Sequence, residues 1–200
     1  GALGADTGLT LTVPGSVNGE GALTKVGSGT VVLSGVNSYT GGTVLVEGTL
    51  AVSADNGLGA AGDGAGAGGL MFAGGTLQAN GTWTLKNRAI TLLSGIGGFD
   101  VPTNQTLTIT NAITGAGGLL KTGTGRLNLY AASDYSGGTV IAGVSGTANN
   151  SKIYAYDSAA LGGGAIVLTN GGQLYLTGGL SMTNDMVMYG GDASTSYNGA

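Results

Sequence analysis

The 200-residue chain holds 44 Gly but only 2 Pro, no Cys and no His, which removes disulfides, thiolate metal sites and the commonest metal ligand and general base, so neither a metal nor a cofactor is expected. A net charge of -4 with 6 scattered cations offers no basic stripe for a phosphate backbone, so nucleic acid is not an expected partner. The missing Gly-X-Y period excludes collagen, and the 42% of hydrophobic residues, grouped in short runs, exclude a flexible linker.

Those runs are bounded by Gly, Asn, Asp or Ser, and no amphipathic helix of ordinary length can be drawn, so the chain reads as nearly all β. In residues 8–13, Leu9, Leu11 and Val13 alternate with Thr, the period of a strand with one buried face. Pro14-Gly15 ends it. Strands follow near 22–26, 30–34, 43–47 and 49–53. Residues 55–69 carry no side chain large enough to pack except Leu58 and read as a loop. Strands resume at 70–73, 76–79, 82–85 and 89–93, separated by Gly-Gly and Asn-Gly pairs suited to positive φ. Residues 97–101 lead into a second cycle, which opens with the alternating stretch 106–110.

From Leu11 and Leu107 to Val44 and Val140 the chain repeats itself without a gap, with fourteen identities in thirty-four positions. The second copy then carries about seven extra residues near 144–150 and realigns at Leu58-Gly59 with Leu161-Gly162, at Gly74 with Gly171 and at Asn87 with Asn184. The chain therefore divides into two units, about 8–103 and 104–200. Units that cannot bury an apolar face alone stack on their neighbours. A right-handed single-stranded parallel β-helix with Gly and Asn at its corners is the expected fold. About nine rungs, at about 4.8 Å each, would make a rod of roughly 40 Å.

Each copy contains Leu, Lys, Gly-x-Gly, Leu and Tyr-x-Gly-Gly-Thr: Leu23, Lys25, Gly27, Gly29, Leu33, Tyr39, Gly41, Gly42 and Thr43, then Leu119, Lys121, Gly123, Gly125, Leu129, Tyr135, Gly137, Gly138 and Thr139. This doubled phrase closely resembles the passenger-associated transport repeat of bacterial autotransporters. The downstream Gly-Thr-Leu at 48–50, Leu-Gly at 58–59 and Gly-Gly-Thr-Leu at 74–77 resemble that family too. The resemblance implies a surface-exposed or secreted passenger of a Gram-negative bacterium, exported by type V secretion, with its own C-terminal β-barrel translocator on a part absent here. It also implies a role for the repeat in secretion and folding, and partners on a host-cell or matrix surface or in self-association. The chain then reads as a fragment of a longer passenger. The second copy departs from the pattern at 144–150, which puts the rung register of 141–160 in question.

Lys25 and Lys121 read as solvated residues at strand edges that discourage lateral pairing, the alternative being a pair of cationic contacts on one face. Tyr39 and Tyr135 read as covers for rung corners, the alternative being a sugar-stacking surface. Asp55 with Asp63, or Asp185 with Asp192, would be the carboxylates of a rival reading, a β-helix polysaccharide lyase or hydrolase. Asp commonly forms turns, and the structural reading, without catalytic residues, is preferred. The Thr-x-Thr pieces at 10–12, 82–84 and 106–110 lack the rung-by-rung regularity of an ice-binding face.

Overall fold

The computed structural model describes residues 1–62, 68–146 and 150–190. The chain winds into a coil of about eight turns, close to the nine rungs expected, and every strand pairing is parallel. Three sheets line the coil. The first contains Ala2–Gly4, Leu23–Val26, Thr43–Leu45, Leu70–Phe72, Ile90–Leu92 and Ile113–Thr114. The second runs the length of the rod and contains Thr10–Val13, Thr30–Leu33, Thr49–Val52, Thr76–Ala79, Ile96–Asp100, Gly118–Thr122, Thr139–Ala142, Ile166–Thr169 and Met186–Tyr189. The third contains Trp83–Leu85, Thr106–Ile109, Arg126–Leu129, Lys152–Ala155 and Gln173–Leu176.

Alternation of side chains explains the core. In Thr30–Leu33, Val31 and Leu33 point inward, and the same parity buries Leu107 and Ile109, Leu127 and Leu129, and Ile153 and Ala155 on the third sheet. Identical register stacks each inward residue on its equivalent, as in the column Val31, Leu50, Leu77 and Phe99. Each such Leu, Ile or Val contributes about 1.5–3 kcal/mol by burial. Phe72 and Phe99 meet within the core with ring centres 4.9 Å apart.

Where strands are missing, the rungs still bond to one another. In the early turns, Ser38 N donates to Val17 O (2.9 Å) and Asn37 N to Asn56 O (3.0 Å). Asn37 is buried there, its Nδ2 donating to Gly57 O (2.7 Å) and its Oδ1 accepting from Val17 N (2.8 Å). In a later turn, Asp134 N donates to Ile113 O (3.1 Å) and Ser133 N to Ala159 O (3.0 Å).

Expected strands recur at 23–26, 30–33, 43–45, 49–52, 70–72, 76–79, 83–85, 90–92 and 106–109. Three features differ from expectation. Residues 97–101, taken as a lead-in, belong largely to the strand Ile96–Asp100. Gly97 and Gly98 are not turn formers there: a Cβ on Gly97 would stand 2.7 Å from Phe72 and one on Gly98 2.3 Å from Thr76 Oγ1, so glycine makes room for the core. Leu9 and Leu11 are 62% and 37% exposed, because their rung has a neighbour on one side only among the described residues. Residues 55–58, expected as loop, form a 3-10 turn that buries Leu58.

The register of 141–160 is defined. Thr139–Ala142 pairs with Gly118–Thr122 and Ile166–Thr169, and Lys152–Ala155 pairs residue for residue with Arg126–Leu129. Of the extra residues near 144–150, Asn150 is buried, its Oδ1 accepting from Val144 N (2.6 Å).

The two copies of the repeat lie on different sides of the rod. Leu23–Val26 is on the first sheet but its equivalent, Gly118–Thr122, is on the second; Thr30–Leu33 is on the second but Arg126–Leu129 is on the third. The segment around Ser38 faces the third-sheet side, whereas the equivalent Asp134 bonds to the first sheet at Ile113. One unit is therefore four turns plus one side of the coil.

Register gives a test. Asn128 and Tyr154 are direct partners on the outward side, and neighbouring strands stand at disulfide distance. The N128C/Y154C variant should oxidise to an internal cross-link, detected by mass spectrometry after proteolysis. N128C/I153C, whose side chains point to opposite sides of the sheet, should remain reduced.

Candidate functional site

In the strands of the repeat, Leu23 and Leu119 point inward, so the residues two positions on, Lys25 and Lys121, point inward as well. Both lysines are 0% exposed. The expectation of solvated edge residues is thus incorrect, and since one lies on the first sheet and the other on the second, they form no cationic pair on one face.

Each ammonium is anchored on the backbone of its own corner and reaches to the turn above. Lys25 Nζ donates to Val26 O (2.9 Å), Gly27 O (2.6 Å) and Glu47 O (3.0 Å). Lys121 Nζ donates to Thr122 O, Gly123 O (2.8 Å) and Ser151 Oγ (3.3 Å). Each ammonium thus places its three donors on three acceptors, although Thr122 O also accepts from Val101 N (3.1 Å). The second copy, with its longer corner, replaces the Glu47 carbonyl by the Ser151 hydroxyl, which in turn donates to Lys121 O (3.3 Å). Burial lowers the pKa of Lys25, opposed by the Glu47 carboxylate. Burial brings Lys121 down to about 7, opposed by Asp100 and reinforced by Lys152.

Tyr39 and Tyr135 cover the corners from inside, 2% and 0% exposed, which leaves neither ring surface for a sugar. Tyr39 Oη and Thr43 Oγ1 are 2.7 Å apart, Tyr135 Oη and Thr139 Oγ1 2.6 Å. Thr43 Oγ1 donates to Leu58 O (3.3 Å) and Thr139 Oγ1 to Leu161 O (3.4 Å). Each Thr proton is thereby committed, so the phenol is the donor to Thr. Burial raises both phenol pKa values.

The Leu-Gly pairs close over these rings. Leu58 and Leu161 are buried, and a Cβ on Gly59 would come 2.7 Å from the Tyr39 ring and one on Gly162 3.0 Å from that of Tyr135. Both glycines also have positive φ, 77° and 64°. Within the phrase, Gly27, Gly42, Gly123 and Gly138 take positive φ, and Gly29, Gly41, Gly125 and Gly137 press against the backbone of the preceding turn. Leu33 and Leu129 complete the core beside them.

A further buried cation, Arg88, has no place in the sequence pattern. Its Nε donates to Asp55 Oδ1 (3.0 Å) and Nη2 to Asp55 Oδ2 (3.3 Å). Nη1 and Nη2 also bond the carbonyls of Leu58, Ala60, Gly68, Asp55 and Gly59 at 2.6–3.2 Å. The guanidinium pins both ends of the long loop against the Tyr39 corner. In the second copy Asn184 does related work, its Nδ2 donating to Gly162 O (2.9 Å) and Gly164 O (2.7 Å). The Asp55 carboxylate is thereby engaged; Asp63 and Asp192, the other halves of the carboxylate pairs considered, lie outside the described residues.

The molecule is a parallel β-solenoid built from a repeated, internally clasped corner. Residues 23–52 and 119–143 match the family model of the passenger-associated-transport-repeat, and each matched stretch contains one lysine and one tyrosine clasp. These two matches agree with the resemblance of the doubled phrase to that repeat. Comparison with curated proteins gives no match, and neither does comparison with solved structures.

Two outcomes follow from the buried cations. Folded Lys121 titrates at about 7 against an ordinary 10.5, so between these values the unfolded chain holds the extra proton and stability rises with pH. Above about pH 10 the buried phenols oppose this, because the unfolded phenols ionise first. The Tm should be higher at pH 9 than at pH 6, by about 2–4 °C for each kcal/mol. The K121M variant should flatten that rise; equal slopes would remove Lys121 as the titrating group. The second outcome concerns Arg88→Met, which strands the Asp55 carboxylate and takes a charged donor from five carbonyls, of which Leu58 O keeps its bond from Thr43 Oγ1. It should lose about 3–5 kcal/mol in urea unfolding, with faster hydrogen exchange centred on residues 55–62.

Proposed function

We propose that the chain is a stretch of the stem of an autotransporter passenger, a rod that supports secretion and folding at the outer membrane and displays an adhesive or self-associating surface. What carries this reading is the coincidence of the two family-model matches with the two internally clasped corners of a β-solenoid. The phrase from Leu23 to Thr43 and from Leu119 to Thr139 is, in this reading, folding machinery rather than a binding site. Its Lys, Tyr and Thr satisfy the acceptors left open at a corner, so each turn presents a finished template to the next.

In this reading the parent chain carries a C-terminal β-barrel translocator, and the rod is displayed at the cell surface or released from it. The two units, about 8–103 and 104–200, act as successive segments of one rod. A catalytic role gains no support from Asp55, whose carboxylate is held by Arg88.

Deletion of 21–44 or of 117–140 from the full-length parent tests the reading on whole cells. Surface display, measured by antibody labelling, should be lost or strongly reduced, with the protein retained or degraded before export. Normal display of both deletions, with loss of cell aggregation or matrix binding only, would assign the repeats to adhesion. Cleavage of an acidic polysaccharide by the purified chain, dependent on Asp55 or Asp185, would replace the stem by an enzyme.

A further inference from the structure

The 6 Lys and Arg residues divide cleanly. Lys25, Arg88 and Lys121 are buried in the rod. The remaining three, Lys86, Arg126 and Lys152, all stand on the outer side of the third sheet. Arg126 and Lys152 are direct partners on adjacent rungs, outward of the buried Leu127 and Ile153. Lys86 is exposed one position beyond the buried Leu85, two rungs from Arg126. No Asp or Glu occupies an outward position of this sheet, although the whole chain carries a net charge of -4. The nearest acid along the chain, Asp157, lies past the strand end, where its Oδ1 accepts from Ala159 N (2.8 Å).

The same side carries four tyrosines in two stacked pairs. Tyr130 and Tyr156 lie 4.1 Å apart at 5°, Tyr154 and Tyr175 4.4 Å apart at 8°. Arg126 caps Tyr154, its guanidinium carbon 3.6 Å from the ring centre, and its Nη2 donates to Tyr156 Oη. Its Nε donates to Asn128 Oδ1, and Asn128 Nδ2 to Thr108 Oγ1 (3.2 Å). Stacked rings present their edges and hydroxyls outward, while the end rings, Tyr130 and Tyr175, remain substantially exposed. The result is a flat field of hydroxyls, amides and ring edges with embedded positive charge.

We infer that the outer side of the third sheet is a docking surface for an acidic polysaccharide, its carboxylates meeting Lys86, Arg126 and Lys152 and its hydroxyls meeting the Tyr, Thr and Gln side chains around them. Charge density selects this polyanion over nucleic acid. The three cations are spread over three rung steps and four residues along the strands, roughly 20 Å, whereas duplex DNA presents about one charge per 1.7 Å. A sugar chain with a carboxylate on each residue or on alternate residues matches the wider spacing, and the exposed ends of the tyrosine stacks suit the C–H faces of pyranose rings. This inference deepens the display part of the stem reading, and rests on it only for where such a glycan would be met.

Polygalacturonate is the probe, with dextran as the neutral control and single-stranded DNA as the dense polyanion, in titration calorimetry on the purified chain at low salt. Polygalacturonate should bind, the affinity should fall as salt rises, and dextran should bind at least ten-fold more weakly. R126Q/K152Q should lose at least ten-fold in affinity while keeping the wild-type circular dichroism. K86Q, at an exposed position outside the tyrosine stacks, should lose about three-fold and stands as the second test should the double variant unfold. Absence of polygalacturonate binding, undiminished binding by folded variants, or tighter binding of DNA would each overturn the inference. The stem reading is judged separately, by display of the 21–44 and 117–140 deletions.

Discussion

Each turn of this rod can satisfy its backbone only by lying in register on another turn. Parallel strands have no hairpin partner within a turn, so hydrogen bonds, the inward columns of Leu, Ile and Val, and the shape of the corners must all agree from rung to rung. That constraint explains the chemistry of the corners. A corner breaks the ladder and leaves carbonyls facing the interior, where no water competes for them. Lys25, Lys121 and Arg88 supply the missing donors from inside, and charged donors make the stronger bonds. The cost is the desolvation of an ammonium or guanidinium, on the order of several kcal/mol, and it appears in the downward displacement of both lysines.

The two copies show how much of this arrangement is fixed. Tyr-x-Gly-Gly-Thr is reproduced with the same hydrogen bonds to within 0.1 Å at the phenol, 2.7 and 2.6 Å. The partners further along the chain vary: a carbonyl at Glu47 gives way to a hydroxyl at Ser151, and Arg88 gives way to Asn184. The acceptors requiring satisfaction are set by the corner, while the group that satisfies them is free to change with corner length.

Strand positions and the solenoid itself were legible in the sequence, because alternation and Gly-rich punctuation report directly on which residues face inward. The fate of Tyr39 and Tyr135 was legible for the same reason. Lys25 and Lys121 were misread because a lysine is ordinarily solvated, yet the signal was present: each stands two residues after an inward Leu, on the buried side of the alternation. Arg88 offered no comparable signal. Its partners are mostly main-chain carbonyls of a Gly-rich loop, and carbonyls leave no trace in residue identity. Gly97 and Gly98 were hidden for the opposite reason, since close packing under Phe72 and Thr76 demands the same residue that a turn does. The outer side of the third sheet was equally invisible, because only the rung register brings Lys86, Arg126 and Lys152 onto one side.

The advance of one side per unit gives the repeat the character of a screw. A position on the outer surface of one unit recurs in the next facing another direction, and three equal steps would be needed to bring it back above itself. Successive units joined in this way would point their surfaces to every side of the shaft in turn. An encounter from any azimuth would then meet some unit in the right orientation, and close lateral packing of identical sides between neighbouring rods would be interrupted at every unit.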